Sequence, residues 1–429
     1  MDRRYFDSVE TAPRHEIEAR QWARLREQVQ HTFARSPLVR REWEKAGLSP
    51  DDIRSIDDFK ARAPFIDKAA IQAFRAETGD PMGGVLAGDL SEVALYGTSS
   101  GTTGDPTMFA ESWTARGEMI FTPRDIWETG LRPGDHLIDV QMVIRSIGRL
   151  YFQDMGATPI FFHHDASDVA RMLSACVRYR PTWMFHISSP LIYALERMEA
   201  ETKVDLRDAF SSFRGVIYGG EPMGRHNRDL MERWGVPVFE FTSLGDCGTA
   251  WECQARDGFH AWEDLVLFEV IDPVSGAPVE SGGRGEMVCT ALVDKVDPLI
   301  RYRSGDLVRW TNEKCACGRT HARYWPLGRV GDETLVNGRS VMPTDVWTAI
   351  ESVPETAAGL FQIIRPQRDL SELKLRVGYD GQPELNDLAA RVAKAVEAAT
   401  GIRPNVELMP NTEILKFGPP HKIPRTTRQ

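Results

Sequence analysis

The sequence predicts an α/β fold: a large N-terminal region of parallel strands covered by helices, with a β-rich subdomain, then a small α+β C-terminal domain. Three observations predict it. A chain of 429 residues exceeds the usual size of one hydrophobic core, so two or more domains are expected. From Val93 onward, short apolar runs alternate with helical segments, the pattern of a parallel sheet. Beyond about Leu265 the chain turns β-rich, and after Arg329 its composition shifts again.

Taken in order, residues 14–45 repeat Ile17, Trp22, Leu25, Val29 and Phe33 at about one helical turn, which predicts a peripheral amphipathic helix. The following segment reads as short helices with Ser49 and Asp67 as N-caps. "DHLIDVQMV", "TPIFFHH", "TWMFHIS", "GVIYGG" and "VPVFEFTS" have strand length, and "DVARMLSACVRY" and "SPLIYALERMEAE" are the helices between some of them. In the β-rich part "LVLFEVID", "GGRGEMVCTAL" and "PLIRYRSGDLVRW" are strands. A helix near Thr344, the strands "GLFQIIRP" and "ELKLRVGYD", and the Ala-rich helix "LNDLAARVAKAVEAAT" form the small domain, giving expected domains 1–328 and 329–429.

Composition narrows the function. Hydrophobic residues at 42%, charged residues at 27% and a formal net charge of −10 describe a soluble globular protein and argue against general nucleic-acid binding. The N-terminus is charged throughout without an apolar core, and no run approaches about 18 apolar residues. The expectation is a cytoplasmic protein with small-molecule partners and no membrane span. Of six cysteines, Cys176 and Cys289 stand alone in apolar surroundings. Cys247, Cys253, Cys315 and Cys317 lie in Gly- and polar-rich segments, a usage that points to metal or catalysis before disulfides.

The stretch "LYGTSSGTTGDPTMF" carries the chemistry. Its Gly, Ser and Thr residues leave N–H and O–H donors free to converge on a phosphate, yet the P-loop pattern with its Lys is absent. "YGGEP" at 218–222 reads as a strand-to-helix turn with Pro222 in the first helical position. Cys253, His260, Cys315 and Cys317 together make a tetrahedral Zn²⁺ set, although Cys-x-Cys is tighter than the usual spacing.

Six segments in order, "SSGTTGDP" at 99–106, "YGGEP", "GFHAWED" at 258–264, "IRYRSGDL" at 300–307, "CACGRTH" at 315–321 and "LGRVGDETLVNGRSVMP" at 327–343, resemble the phenylacetate–CoA ligases. That family belongs to the acyl-adenylate-forming superfamily, and the resemblance is strong from Val93 to Pro343. It implies a large adenylate-forming domain, ATP, Mg²⁺ and coenzyme A, and two half-reactions. An aromatic acid and ATP give an acyl-adenylate and pyrophosphate; a thiol then attacks the acyl carbon.

The resemblance assigns roles residue by residue. Ser99, Ser100, Gly101, Thr102, Thr103 and Gly104 would hold the β- and γ-phosphates, with Thr107 where many superfamily members carry Lys. Gly219, Gly220 and Glu221 would line the adenine pocket, and Asp306 would accept both ribose hydroxyls. "FTSLGDCG" stands in place of a Tyr-Gly-x-Thr-Glu motif: Thr242 replaces the aromatic residue, Gly245 replaces Thr, and Asp246 replaces the Mg²⁺-binding Glu. Phe241 is a candidate for the lost adenine contact. Arg329 would contact ribose or phosphate, and Asp332 would be the hinge of the small domain.

At the C-terminus Arg428 and Gln429 occupy the expected Gly-Lys positions, so either Lys416 or Lys422 serves as the adenylation lysine, with Lys422 favoured for lying beside Ile423–Thr426, or adenylation works without one. Phe152, Met155, Phe185 and Ile187 are candidates for an aromatic slot, with Arg145 or His186 toward a ring substituent or the carboxylate. Expected partners are an aromatic acid, ATP and CoA, with a homodimer as a candidate assembly. Two other readings stay open on the sequence: adenylation with transfer to a carrier-protein thiol or an amine, and an adenylate-binding protein without turnover.

Overall fold

Helix formation begins where Pro13 stops and the apolar spacing starts. The expected single helix over 14–45 is two helices, Arg14–Arg35 and Pro37–Lys45. Ser36 caps the second with its side chain on Val39 N, and Pro37, which lacks an N–H to continue the first helix, takes the first turn of the next. Asp67 caps Lys68–Thr78 through Ala70 N at 2.8 Å, and Ser49 stands before a short 3₁₀ turn with its N–H and hydroxyl on Asp52. The structure, a computed structural model, describes residues 4–98, 108–112, 123–141, 152–163, 168–418 and 423–428.

The chain divides into two compact units. The first comprises Met1–Gly134, Val143–Thr158 and Phe241–Val330. Its antiparallel ladder runs Val266–Ile271, Arg284–Ala291, Tyr302–Thr311, Arg323–Arg329, Phe259–His260, Thr249–Glu252 and on to Phe241–Ser243 in spatial order. Ile66–Asp67 adds a parallel pairing to Tyr302–Arg303. Trp43 and Phe59 from the N-terminal helices share one core with Leu267, Met287 and Tyr324 of this sheet. Burying such side chains stabilises by about 1.5–3 kcal/mol each.

The second unit comprises Asp135–Met142, Pro159–Glu240 and Gly331–Gln429. His136–Gln141, Trp183–Ile187, Gly215–Tyr218 and the start of Val238–Ser243 pair in parallel. The strand Trp183–Ile187 is buried at every position, as expected of a parallel strand covered on both faces. Val169–Tyr179 and Ser189–Thr202 supply the covering helices, matching the alternation in the sequence. The C-terminal part has its own core under helices Pro343–Glu351 and Leu385–Thr400, on a sheet ordered Asn405–Pro410, Lys374–Tyr379, Phe361–Ile364, Thr426–Thr427. Among the described residues no helix is long and apolar enough to cross a membrane.

Two local expectations need correction. Pro222 does not open a helix: the chain stays extended to Gly224 and the helix is Arg225–Arg233, because Glu240 holds Met223 N and a Cβ on Gly224 would meet Glu351 Oε1 at 2.1 Å. Cys289 is not alone: Cys247, in the turn between Val238–Ser243 and Thr249–Glu252, is buried with it, and burial together with Cys247 raises the Cys289 thiol pKa. Gly245, at φ +55°, makes this packing feasible, since a Cβ there would lie 2.7 Å from Cys289 Sγ.

Candidate functional site

In the first unit the strands Tyr302–Thr311 and Arg323–Arg329 bring Asp306 opposite Arg329 in register. Arg329 Nε donates to Asp306 Oδ1 at 2.7 Å, and the pair is partly open, 57% and 23% exposed by side chain. Burial is the main cause raising the Asp306 pKa; Arg329 opposes it and the Asp246 charge adds to it. Two acids and a guanidinium therefore share one field. Asp246 sits at φ +59°, its N–H donating to Ser243 Oγ at 3.2 Å, so a left-handed turn sets its carboxylate. Thr242 pairs with Ala250 in the ladder, and Phe241 stacks on Trp251 with ring centroids 5.2 Å apart.

The same unit gathers the cysteine set. Cys253, His260, Cys315 and Cys317 are all buried, and their ligand atoms lie within 4.8 Å of one another. Cys253 Sγ and Cys315 Sγ are 3.8 Å apart, and Cys317 Sγ is 3.5 Å from His260 Nε2. A tetrahedral zinc with its usual bond lengths requires S···S edges of about 3.8 Å and S···N edges of about 3.6 Å, so the donor set fits that ion. The surroundings are braced. Cys317 O accepts from Arg4 Nη2 and Tyr5 Oη, each at 2.7 Å, and the buried Arg319 guanidinium pairs with Glu10 and Glu128. His321 is outside the set: its ring bonds Val9 O and Glu263 N, and burial pushes its pKa down to about 4, so it is a neutral packing residue.

In the second unit "YGGEP" follows the strand Gly215–Tyr218, as expected. Gly220 takes φ +95°, and Gly219 O accepts from His186 Nε2 at 2.8 Å. Glu221 is engaged by a residue far along the chain. Its Oε2 accepts from Arg425 Nη2 at 2.8 Å and Nε at 3.1 Å, while its buried Oε1 has no hydrogen-bond partner among the described residues. Arg425 also lies over the Trp347 ring, 3.7 Å from its centroid, and donates to Gly359 O. No sequence signal tied Glu221 to Arg425, although both belonged to recognised segments.

At the segment expected to be the hinge, Arg365 Nη1 donates to three successive carbonyls, Gly331 at 2.8 Å, Asp332 at 3.3 Å and Glu333 at 3.1 Å. Lys416 Nζ lies between both carboxylate oxygens of Glu413, at 2.7 and 2.8 Å, on an exposed surface. Of the candidate acyl-pocket residues, Phe152 is buried and Met155 half-buried in the first unit. Phe185, His186 and Ile187 are buried in the second, where Ile187 belongs to the core. Ser99, Ser100, Gly101, Thr102, Thr103, Gly104, Thr107, Arg145 and Lys422 lie outside the described residues.

Against known proteins, no family model matches the chain. It is 30% identical over 437 aligned positions to a phenylacetate–coenzyme A ligase of Thermus thermophilus, covering 95% of each chain. A phenylacetate–coenzyme A ligase of Aromatoleum evansii is 27% identical, with 89% of this chain and 85% of that one covered. Among solved structures, 2-hydroxyisobutyryl-CoA ligase bound to an acyl-AMP in the postadenylation state superposes with a TM-score of 0.83 at 25% identity, over all of this chain and 93% of that one.

Proposed function

The chain belongs to the phenylacetate–CoA ligase family, AMP-forming acid–thiol ligases that activate a carboxylic acid as its adenylate and pass the acyl group to coenzyme A, and we propose from this that its acid is aromatic, aryl or arylacetic. The observation carrying the nucleotide side is the Asp306–Arg329 pair beside Asp246. Its exposed guanidinium can turn from the carboxylate to a phosphate, leaving Asp306 to accept two ribose hydroxyls.

Gly219 and Gly220 let backbone run along the adenine, with Glu221 and Thr242 at its edge. Donors of Ser99–Gly104, Thr102 among them, hold the β- and γ-phosphates. A carboxylate oxygen of the acid attacks the α-phosphorus and pyrophosphate leaves; Lys422, or failing it Lys416, neutralises the charge gathering on the phosphoryl oxygens. The CoA thiolate then attacks the acyl carbon, and AMP departs with the carboxylate-derived oxygen. Mg²⁺, when bound at Asp246, supplies positive charge to the polyphosphate. Phe152, Met155, Phe185 and Ile187 are the candidates for holding the aromatic ring of the acid, with Arg145 or His186 for its polar end.

Between half-reactions the domain 329–429 swings on Asp332, whose carbonyl and its neighbours are gripped by Arg365. Zinc at Cys253, His260, Cys315 and Cys317 is structural, since four protein ligands leave no open position. Metal analysis of the purified protein should find one zinc per chain; well under that removes the assignment. The same reading places the enzyme in the cytoplasm, with a homodimer as its candidate assembly.

The experiment is acid-dependent pyrophosphate release from Mg·ATP, with and without CoA, over aryl, arylacetic and short hydroxy acids. Release greatest with an aromatic acid and turning over only with CoA supports the proposal. Release confined to short hydroxy acids would move the substrate toward that of 2-hydroxyisobutyryl-CoA ligase, and turnover only with a carrier thiol or an amine would change the acceptor.

A further inference from the structure

The Gly-rich segment is carried by a hairpin, Val93–Thr98 and Met108–Ser112, with Thr98 opposite Met108. Among the described residues this hairpin pairs with no other strand. A two-stranded hairpin is marginal by itself in water, so contacts from elsewhere must set where it sits. The stretch 294–299 supplies them. Ala87 N and Gly88 N, on the run leading into the hairpin, donate to Val296 O at 2.8 and 3.1 Å. Ala110 N, in the returning strand, donates to Asp297 Oδ2 at 2.9 Å. The stretch itself is pinned to the first helix: Gln28 bonds Asp294 O, and the His31 ring lies 2.7 Å from Lys295 O.

Asp297 is an expensive residue for a merely structural anchor. It is 8% exposed, and its Oδ1 has no hydrogen-bond partner among the described residues. It borders a cavity of about 10 Å³ shared with Lys68, Arg75, Met108 and Phe109, room for one water. Burial, and next the Asp294 charge, push its pKa up to about 7, with the Ala110 N–H acting against them. Lys68 and Arg75 on helix Lys68–Thr78 share its cavity; Asp294, whose carboxylate accepts from Asp297 N, and Lys295, whose carbonyl meets His31, belong to the same stretch.

We infer that Asp297 is a positioning residue for ATP: by holding Ala110 N–H it fixes the strand Met108–Ser112, which leaves the Gly-rich segment proposed to bind the β- and γ-phosphates. This rests on the phosphate-binding reading of that loop. AMP lacks those two phosphates, so the inference separates the two nucleotides, which a general loss of structure does not.

The test is calorimetric titration of the full-length protein with Mg·ATP and, separately, with AMP. Asp297→Ala leaves a buried N–H unsatisfied at the loop's exit and should weaken ATP about ten-fold while AMP is unchanged. Asp297→Asn keeps an oxygen acceptor and should hold ATP within about two-fold of the unaltered protein. Should Asp297→Ala not fold, Asp297→Leu fills the space without an acceptor and is read in its place. Equal losses for ATP and AMP, or no loss of either, overturn the inference. Thr102→Val is run in parallel. If it changes the ATP-to-AMP ratio and Asp297→Ala does not, the positioning role alone falls; if it leaves the ratio unmoved, the phosphate reading of the loop falls and the inference falls with it.

Discussion

Two Arg–carboxylate pairs stand at nucleotide-site motifs, and they differ in what surrounds them. Arg329–Asp306 joins neighbouring strands in register, with the guanidinium 57% exposed. Arg425–Glu221 joins residues 204 apart, with side chains 13% and 7% exposed and two aromatic rings against the guanidinium. An exposed pair contributes little to stability and can exchange its carboxylate for a ligand at small cost. A desolvated pair punishes the loss of either member, because the charge left behind stays buried. The first can be given up to a ligand at small cost; the second holds the C-terminal segment on "YGGEP" in the conformation the structure shows, and a swing of 329–429 has to break it.

Breaking the buried pair should have the largest effect. Arg425→Ala leaves Glu221 without its partner and should destabilise its unit by about 3 kcal/mol, seen as a fall in denaturation midpoint. Arg425→Lys should recover part of it, since a point charge replaces a fork that also stacks on Trp347. A midpoint unmoved by Arg425→Ala would show that the pair carries no load.

Arg329→Ala should cost at most about 1 kcal/mol of stability and be felt in nucleotide affinity instead, read by AMP titration. A stability loss matching that of Arg425→Ala would erase the contrast between the pairs.

The smallest effect is in pH. The folded pKa of Asp306 is raised, chiefly by burial, so its contribution to stability is fullest at low pH and falls as pH climbs from the ordinary carboxylate range through the raised value. Ribose hydroxyls bond best to the ionised form, so AMP affinity should move oppositely, weakening as pH drops through that value. Asp306→Asn should flatten both trends. An unchanged slope in Asp306→Asn would assign the titration to another group.

Much of the fold was legible where the period of the sequence and the needs of packing agree. The helix "LNDLAARVAKAVEAAT" forms over those sixteen residues, and "TWMFHIS" contains a strand buried on both faces. Legibility failed where a distant contact decides a local conformation. Pro222 looked like a helix start, but Glu240 and Glu351 delay the helix to Arg225. Cys289 looked solitary, but the missing Cβ at Gly245 lets it pack against the turn that carries Cys247.

The site shows the same division. Residue type together with the family resemblance proposed the four cysteine and histidine candidates, and the fold brings them together despite their atypical spacing. Asp306 opposite Arg329 follows from the strand register. Neither Arg425 on Glu221 nor Asp297 on Ala110 has a spacing that a sequence could show, because each bond joins segments more than 180 residues apart.

The account turns on Asp306 as the acceptor of the ribose, and AMP titration of Asp306→Ala beside its thermal midpoint tests that most directly. Removing two charge-assisted hydrogen bonds should weaken AMP about a hundred-fold, with the midpoint unchanged or raised because a half-buried acid is gone. AMP affinity equal to that of the unaltered protein would contradict the account and send the search for the nucleotide site elsewhere.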